Sequence, residues 1–266
     1  MWELLACDLD GTLLSDHGEV SALTAATLDA VLSNGIAIVP ATARRPATTL
    51  GLVPWCEYAV CCNGSLVIDR HRNVLDEHVV SSAVVKQIIS WVRSVNESIG
   101  FAVSARDALA GDRHFEQTRP HALGTWITID ENDLDSFAVN NLSLRSAELG
   151  ADELAELIAA EFGANTVAVQ ASSPTTVDVT PTGCSKATGL ALICEELGVD
   201  PGKVVAFGDS ANDADMLGGA GLGLAVNEGH PSAQHEADQL VDRSPVDGIA
   251  THIQAVLLDL SNERFH

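Results

Sequence analysis

The first fourteen residues constrain this chain more than any other stretch. Residues 2–6 are mainly apolar and predict a strand buried on both faces, and Asp8, Asp10 and Gly11 follow directly. Ligands of open α/β sheets bind at the carboxyl ends of the strands, so these carboxylates lie where an active site is expected. Residues two apart on an extended chain point to the same side, and glycine permits a sharp turn with exposed N–H groups. The stretch can hold a cation or a phosphoryl group, although two solvated aspartates after a strand would give the same pattern.

Length and composition predict a globular protein with more than one structural unit. At 266 residues, 46% of them hydrophobic, the chain can form one large domain and a smaller inserted or appended one. It has no apolar run long enough to span a bilayer, and its N-terminus lacks the pattern of a signal peptide, so we expect a cytoplasmic protein with no membrane partner. The six cysteines include no Cys-x-x-Cys spacing, which predicts buried, reduced thiols instead of disulfides or zinc ligands.

The formal net charge of −23 excludes broad classes of partner. A nucleic-acid backbone would be repelled over most of the surface, and no basic run offsets the acidic residues. A phosphorylated small molecule would be repelled as well, unless a metal ion and a few cations create a local positive site. Lysine is scarce, which limits the candidates to Lys86, Lys186 and Lys203 together with the arginines. The oligomeric state is not indicated by the sequence.

The pattern before residue 81 predicts a parallel sheet. Residues 21–34 have the apolar spacing of a helix, with Ser21 as its N-cap and Gly35 as its stop. A buried strand follows at residues 36–41, and a strand, helix and strand in this order form a right-handed crossover unit. We predict a third strand at residues 58–62. Alternation then predicts a hairpin at residues 65–80.

The character of the chain changes at residue 81 and reverts near residue 181. Between these points the pattern predicts an amphipathic helix from residue 84 that ends near Gly100, strands at 125–129, 141–145, 166–170 and 175–180, and a helix at 152–162. Residues 101–124 have weak periodicity, and no structure is predicted for them; their arginines and histidines, which are Arg106, Arg113, His114, Arg119 and His121, are expected mainly to face solvent, with one or two available to a substrate. Strands at 203–207 and 222–226 then alternate with helices at 185–197, 213–217, 230–237 and 246–260. The prediction is an α/β fold: a Rossmann-like parallel sheet core, residues 1–80 and 181–266, with an inserted α+β unit, residues 81–180.

Polar side chains occur at three further element ends. Thr42 and Arg44 follow the second strand, where a hydroxyl and adjacent N–H groups can grip a phosphate, although Thr42 could instead cap the helix before Pro46. Lys186 begins a helix and could supply one fixed cation, although helix lysines are usually solvated. The stretch 208–213 places two carboxylates four residues apart with an amide between them, directly after a buried strand, and this pattern suits a hard cation with oxygen ligands.

Together these residues resemble the haloacid dehalogenase superfamily of phosphohydrolases, and specifically its Cof-like branch, in which a large α/β cap is inserted into the core. The motifs that carry the resemblance are Asp8-x-Asp10-Gly11-Thr12, Thr42, Lys186 and Gly208-Asp209-x-x-Asn212-Asp213, with the turns Asn63-Gly64 and Asp247-Gly248-Ile249-Ala250. The resemblance covers residues 1–80 and 181–266, whereas the cap region matches in size and pattern alone. Ala43 and Ala187 stand where the family often has glycine, which affects the expected loop geometry and no catalytic side chain.

The resemblance implies a function and a role for each residue. The protein is expected to be a Mg²⁺-dependent phosphohydrolase of a small phosphorylated metabolite, such as a sugar phosphate, with Asp8 as the nucleophile and Asp10 as the general acid and base. It implies metal ligation by Asp8, the Asp10 carbonyl and Asp209, with Asp213 bound directly or through a second shell, and phosphate binding by Thr42, the Ala43 N–H, Lys186 and Asn212.

Two alternatives remain open from the sequence. A phosphosugar mutase would use the same core and return the phosphoryl group to a sugar. A non-catalytic phosphate- or Mg²⁺-binding protein would be expected to lack a catalytic residue, and this chain retains all of them.

Overall fold

The computed structural model describes residues 1–118, 125–163 and 165–258. Its strands are β1 (Leu4–Cys7), β2 (Ala37–Pro40), β3 (Tyr58–Cys61), β4 (Leu66–Asp69), β5 (Val74–Glu77), β6 (Gly100–Ser104), β7 (Leu109–Gly111), β8 (Ile127–Thr128), β9 (Asn141–Arg145), β10 (Val167–Ser173), β11 (Thr176–Pro181), β12 (Val204–Gly208), β13 (Leu222–Val226) and β14 (Gln239–Val241). The α-helices are α1 (Ala22–Ser33), α2 (Pro46–Leu52), α3 (Ser82–Val95), α4 (Arg113–Thr118), α5 (Ala151–Phe162), α6 (Lys186–Leu197), α7 (Ala214–Gly219), α8 (Pro231–Glu236) and α9 (Ala250–Ile253).

A parallel sheet in the order β14-β13-β12-β1-β2 forms the centre of the molecule. Strand β1 lies between β12 and β2, with Leu4 opposite both Val204 and Ala37. Its side chains are buried alternately against two apolar clusters, one on each face of the sheet, as expected for a parallel strand covered on both sides. The predicted α/β fold with a parallel core is therefore confirmed, and β1 is its central strand.

The helix boundaries follow the capping residues seen in the sequence. The Ser21 side chain accepts a hydrogen bond from the Thr24 N–H at the start of α1, and Gly35, with φ +76°, follows its end. Ser185 caps α6 in the same way, by accepting from the Thr188 N–H. The last helix was predicted from residue 246 but begins at Ala250, because two backbone hydrogen bonds between residues 244 and 248 close a turn there. Residues 259 and 260 of that prediction lie outside the described residues.

The third predicted strand, β3, lies in a separate antiparallel sheet and is not a strand of the parallel one. Strand β3 pairs antiparallel with β4, which pairs with β5, and it joins the parallel sheet through a single parallel bridge between Ala41 and Val60. The short edge strand β14 was not predicted, since two of its three residues are exposed and give no apolar pattern. Neither difference moves the polar residues that follow β1, β2 and β12.

Residues 81–180, called the insert below, contain a second sheet with the order β10-β11-β9-β6-β7-β8. Its pairs are antiparallel except for β7 with β8, and helices α3 and α5 contribute to its own apolar cluster. Strands β6 and β7 and helix α4 fall in the stretch for which no structure was predicted. The five residues of β6 are all buried, so they lack the alternation by which a strand is detected. Arg119 and His121 lie outside the described residues.

The six cysteines are all buried and free, as expected for reduced core thiols. Burial raises the pKa of Cys56 and of Cys61 to about 12, because the thiolate would lose its hydration. Among the described residues, no helix is long and apolar enough to cross a membrane.

Candidate active site

Four of the predicted site residues meet at the carboxyl end of the parallel sheet. The Lys186 ammonium, at the start of α6, donates to Asp8 Oδ1 at 2.6 Å and to Asp213 Oδ1 at 2.7 Å. Carboxylate oxygens of Asp8, Asp209 and Asp213 lie within 4.8 Å of one another. The structure thus brings together residues that are up to 205 positions apart. They meet because the carboxyl ends of β1 and β12 lie beside the N-terminus of α6.

The loops around this cluster fix each carboxylate. Thr12 Oγ1 donates to Asp209 Oδ1 at 2.7 Å, and the backbone N–H groups of Asp209 and Ser210 donate to Asp213 Oδ2 at 3.1 and 2.9 Å. Gly11 has φ +83°, and a Cβ at that position would lie 2.5 Å from Asp209 Oδ2. Glycine is therefore required at residue 11 both for the turn and for the approach of Asp209.

The charges of the cluster perturb one another. Burial raises the pKa of Asp8 well above its ordinary value, with Lys186 acting against that shift and Asp213 and Asp209 adding to it. Burial and then Asp213 raise the pKa of Asp209 to about 6. Burial opposes the charge of Lys186, but the two aspartates that it contacts raise its pKa overall. The cluster has an excess of negative charge that one lysine does not offset.

Asp10 lies apart from this cluster. Its carboxylate is half-exposed and accepts two hydrogen bonds from Arg44, from Nε at 2.5 Å and from Nη2 at 2.6 Å. This bidentate ion pair was not predicted, and it fixes the orientation of the Asp10 side chain. The acid and base role of Asp10, and metal ligation by its carbonyl, stay predictions.

Thr42 is buried and shapes the loop after β2. Its Oγ1 accepts a hydrogen bond from the Arg44 N–H at 3.1 Å, and its carbonyl accepts one from the Asn63 N–H. The alternative that Thr42 caps the next helix is wrong, because the N-cap of α2 is Arg45. Ala43 lies on the wall of a cavity beside this loop. Phosphate binding by Thr42 and Ala43 stays a prediction.

Asn212 and an aspartate that the sequence did not single out belong to a second polar network. Asn212 Nδ2 donates to Asn63 Oδ1 at 2.9 Å, and Asn63 Nδ2 donates to Asp178 Oδ2 at 2.8 Å. Asn141 Nδ2 and Ser143 Oγ donate to Asp178 Oδ1 at 3.0 and 2.6 Å. The network connects the loop after β12, the turn after β3 and strands β9 and β11 of the insert. Phosphate binding by Asn212 stays a prediction.

A cavity of about 700 Å³ separates the parallel sheet from the insert. The loops after β1 and β2 form one wall, and strands β6, β9, β10 and β11 with α4 form the other. Four arginines line this space, one of them from the insert: Arg44, Arg45, Arg145 and Arg243. Sequence reasoning considered Arg44 alone among them, since no motif marks the other three.

The comparisons with known proteins agree with this geometry. The family of haloacid dehalogenase-like hydrolases matches residues 5–253. The 5-amino-6-(5-phospho-D-ribitylamino)uracil phosphatase YcsE of Bacillus subtilis is 25% identical over 256 residues, which are 95% of this chain and 94% of that protein. The HMP-PP phosphatase of Yersinia pseudotuberculosis is 25% identical over 266 residues, with 95% and 94% covered.

Solved structures show the same fold. The SMU.1108c protein of Streptococcus mutans superimposes with a TM-score of 0.85 at 18% identity, covering 96% of this chain and 98% of that one. The HAD subclass IIB sugar phosphatase BT4131 superimposes with a TM-score of 0.80 at 19% identity, covering 95% and 98%. With a family match that spans nearly the whole sequence, the chain belongs to the haloacid dehalogenase-like hydrolases.

Proposed function

We propose that this protein is a Mg²⁺-dependent phosphatase that hydrolyses a small phosphorylated metabolite through an aspartyl-phosphate intermediate. The observation that carries the proposal is the environment of Asp8. This carboxylate is buried at the end of the central strand, hydrogen-bonded to Lys186, and close to Asp209 and Asp213. The names of the full-length relatives, which are phosphatases, support the same reaction class.

The residues of the cluster fit a magnesium ion. Every candidate ligand is a carboxylate oxygen, which is the donor type that a hard cation prefers. The three carboxylates and one ammonium carry a net charge of −2 when all are ionised, so a divalent cation would neutralise them. Asp8 and Asp209 are the proposed ligands, with the Asp10 carbonyl. Asp213 accepts from the Lys186 ammonium and from two backbone N–H groups, whose directions are fixed, which favours a positioning role for that residue. The Asp209 oxygens accept from the hydroxyls of Thr12 and Ser210, which can rotate away when a cation binds.

In the first proposed step, Asp8 displaces the alcohol of the substrate. A carboxylate oxygen of Asp8 attacks phosphorus, the bond from phosphorus to the leaving oxygen breaks, and Asp10 donates a proton to that oxygen. Lys186, Thr42 and the Ala43 N–H are proposed to hold the transferring oxygens. Bound Mg²⁺ would supply positive charge between the Asp8 carboxylate and the phosphate dianion.

In the second step, water hydrolyses the aspartyl phosphate. Asp10 takes a proton from the water as its oxygen bonds to phosphorus, and the bond between phosphorus and Asp8 breaks. Inorganic phosphate leaves, and both carboxyl groups return to their starting states. The ion pair with Arg44 must therefore release one Asp10 oxygen in each turnover, or shift to let it carry the proton.

The insert is proposed to select the substrate. Residues 81–180 supply one wall of the cavity, opposite the loops that carry Asp10 and Arg44. A lid in this position would bind the alcohol part of the substrate and exclude water from the reacting groups. The boundaries of this unit at residues 81 and 180 stay a prediction.

The variant Asp10→Asn tests the mechanism because the two steps need Asp10 differently. General acid catalysis contributes about 10² to 10⁴ in rate when the leaving oxygen is basic, and little for a nitrophenolate. The variant should therefore form the phosphoenzyme from p-nitrophenyl phosphate, release one equivalent of nitrophenol and then stall, while an alkyl phosphate reacts very slowly. Rapid acid quench with labelled substrate measures the burst and the label on the protein. Equal losses on both substrates, without burst or label, would reject this role of Asp10, and full wild-type activity in EDTA would reject the metal.

A further inference from the structure

Arg45, on the cavity wall, lacks a counter-ion among the described residues. Arg45 is 8% exposed, and its Nε has no hydrogen-bond partner. No carboxylate among the described residues lies within ion-pairing distance of its guanidinium. Burying a cation without a partner is costly, so an unpaired arginine in this position needs an explanation.

Two of the other three arginines in the cavity do have a carboxylate partner. Arg44 is paired with Asp10, and Arg243 is paired with Asp16 at 2.6 Å. Arg145, on the insert side, donates to Thr176 Oγ1 and to the Thr118 carbonyl, and it likewise has no carboxylate partner among the described residues. The chain has 37 acidic residues and 14 basic ones, so carboxylates are not in short supply. Among the described residues, two guanidinium groups of the cavity wall therefore have no ion-pair partner.

The surroundings of Arg45 also favour an anion from outside the protein. Burial is the main cause that lowers the pKa of the guanidinium; Cys62 and Asp107 act against it, and Arg72 adds to it. An anion in the cavity would offset the effects of burial and of Arg72. Guanidinium groups bind carboxylates and phosphates through two parallel hydrogen bonds, which a buried arginine is well suited to make.

The phosphoryl group that reacts has a cation of its own. That group must reach Asp8, whose cation is Lys186, and Arg45 has no ion pair or hydrogen bond with any member of that cluster. A cavity of about 700 Å³ can hold a metabolite that extends beyond its reacting phosphate. We propose that the substrate carries a second anionic group, a carboxylate or another phosphoryl group, which binds Arg45 with Arg145 opposite. This inference rests on the proposed phosphatase function and deepens it.

Matched alkyl phosphates test the inference. The substrates are alkyl phosphates with a three-carbon or a six-carbon chain. The end of each chain opposite the reacting phosphate carries a methyl group, a carboxylate or a second phosphate. The value of kcat/KM is measured for each compound with Mg²⁺. At one length or both, the wild-type protein should prefer a member with a second anion by roughly 10- to 100-fold, the range expected for a charge-assisted hydrogen bond. Whether the carboxylate or the bisphosphate is preferred identifies the anion.

Variants then assign the preference to Arg45. Arg45→Gln should reduce the ratio of kcat/KM values between the substrates with a second anionic group and the methyl-terminated ones to nearly one. Arg45→Lys keeps the positive charge but loses the paired N–H donors of the guanidinium, and it should give an intermediate ratio. Arg70→Gln removes the same charge from an exposed residue outside the cavity wall and should keep the preference. Circular dichroism and the melting temperature verify that each variant is folded.

Three results would overturn the inference. They are a wild-type protein without any preference, a preference that survives Arg45→Gln, and an equal loss on all substrates, which would place Arg45 on the reacting phosphate. The failure of the proposed function looks different, since neither these compounds nor p-nitrophenyl phosphate would then be hydrolysed.

Discussion

Asp8 and Asp178 are both buried carboxylates near the same cavity, yet their partners differ in charge. Asp8 contacts the Lys186 ammonium and lies close to two further carboxylates. Asp178 accepts hydrogen bonds from three neutral groups, which belong to Asn63, Asn141 and Ser143. The first centre concentrates charge, and the second disperses a single charge over amides and a hydroxyl.

The difference indicates what each centre can do. The cluster at Asp8 has an excess of negative charge that a divalent cation can neutralise, so ligand binding stabilises it. The network at Asp178 holds one negative charge, and neutral donors already occupy both of its oxygens. Its connections run from strand β11 to strand β9 and to the turn after β3, so it links the insert to the rest of the molecule. Four measurements separate these roles.

Replacement of the proposed nucleophile should have the largest effect. Asp8→Asn keeps the shape of the side chain and removes its nucleophilic oxygen, so kcat should fall by at least about 10³-fold. Steady-state turnover of p-nitrophenyl phosphate measures the loss. Asp135→Asn, the same change at an exposed residue of the insert that pairs with Lys86, is the control. A variant at residue 8 that kept a tenth of the activity would contradict the proposed intermediate.

Removal of the lysine should destabilise the fold. Lys186→Met leaves Asp8 and Asp213 buried without their cation, and breaking such a pair costs about 3–5 kcal/mol in the free energy of unfolding. Urea denaturation in EDTA measures the loss, and added Mg²⁺ should recover part of it. Lys203→Met breaks an exposed pair with Glu3 and should change little. Equal losses in the two variants would show that the burial of Lys186 has no special role.

Replacement of Asp178 should lower the free energy of unfolding by less than the loss of Lys186 does. Asp178→Ala leaves the donors of Asn63, Asn141 and Ser143 without an acceptor, which costs about 1–3 kcal/mol in the free energy of unfolding. Asp178→Asn retains one carbonyl oxygen and should cost less. Added Mg²⁺ should not recover stability in either variant beyond its effect on the wild-type protein. If Mg²⁺ restored the free energy of unfolding of these variants more than that of the wild-type protein, Asp178 would belong to the metal site.

The pH dependence of metal binding should be the most modest effect. The pKa of Asp209 is about 6 in the metal-free protein, so its carboxyl group is ionised at pH 7.5 and mainly protonated at pH 5. Protons compete with the metal for this oxygen, so the Mg²⁺ affinity should fall by about tenfold or more between these values. Titration calorimetry measures the change. An affinity that is constant over this range would mean that Asp209 does not bind the metal.

The sequence allowed prediction of the charged centre better than of the neutral one. Asp8 and Asp209 directly follow apolar strands, and Lys186 follows the capping residue Ser185, so element boundaries in the sequence place all three at one edge of a sheet. Asp178 lies in an alternating stretch that is typical of a half-exposed strand. Asp178 is nevertheless buried, and one of its partners, Asn63, is 115 residues away, a contact that no local pattern reports.

Which arginine forms an ion pair also could not be predicted from the sequence. Arg44 and Arg45 are adjacent and look equivalent, yet one binds Asp10 and the other has no carboxylate partner among the described residues. Their different positions depend on the loop that Thr42 shapes, through a hydrogen bond from the Arg44 N–H. The insert strand β6 was missed for another reason, since a fully buried strand shows no alternation.

The distribution of cysteines makes this protein a convenient subject for studies of its internal motions. All six thiols are buried, and none lies in residues 81–180. Alkylating reagents reach them when buried parts of residues 1–80 and 181–266 open, so the labelling rate reports on such openings. Glu97→Cys would place one accessible thiol on the insert, where a fluorescent or spin label could follow movement of that unit independently.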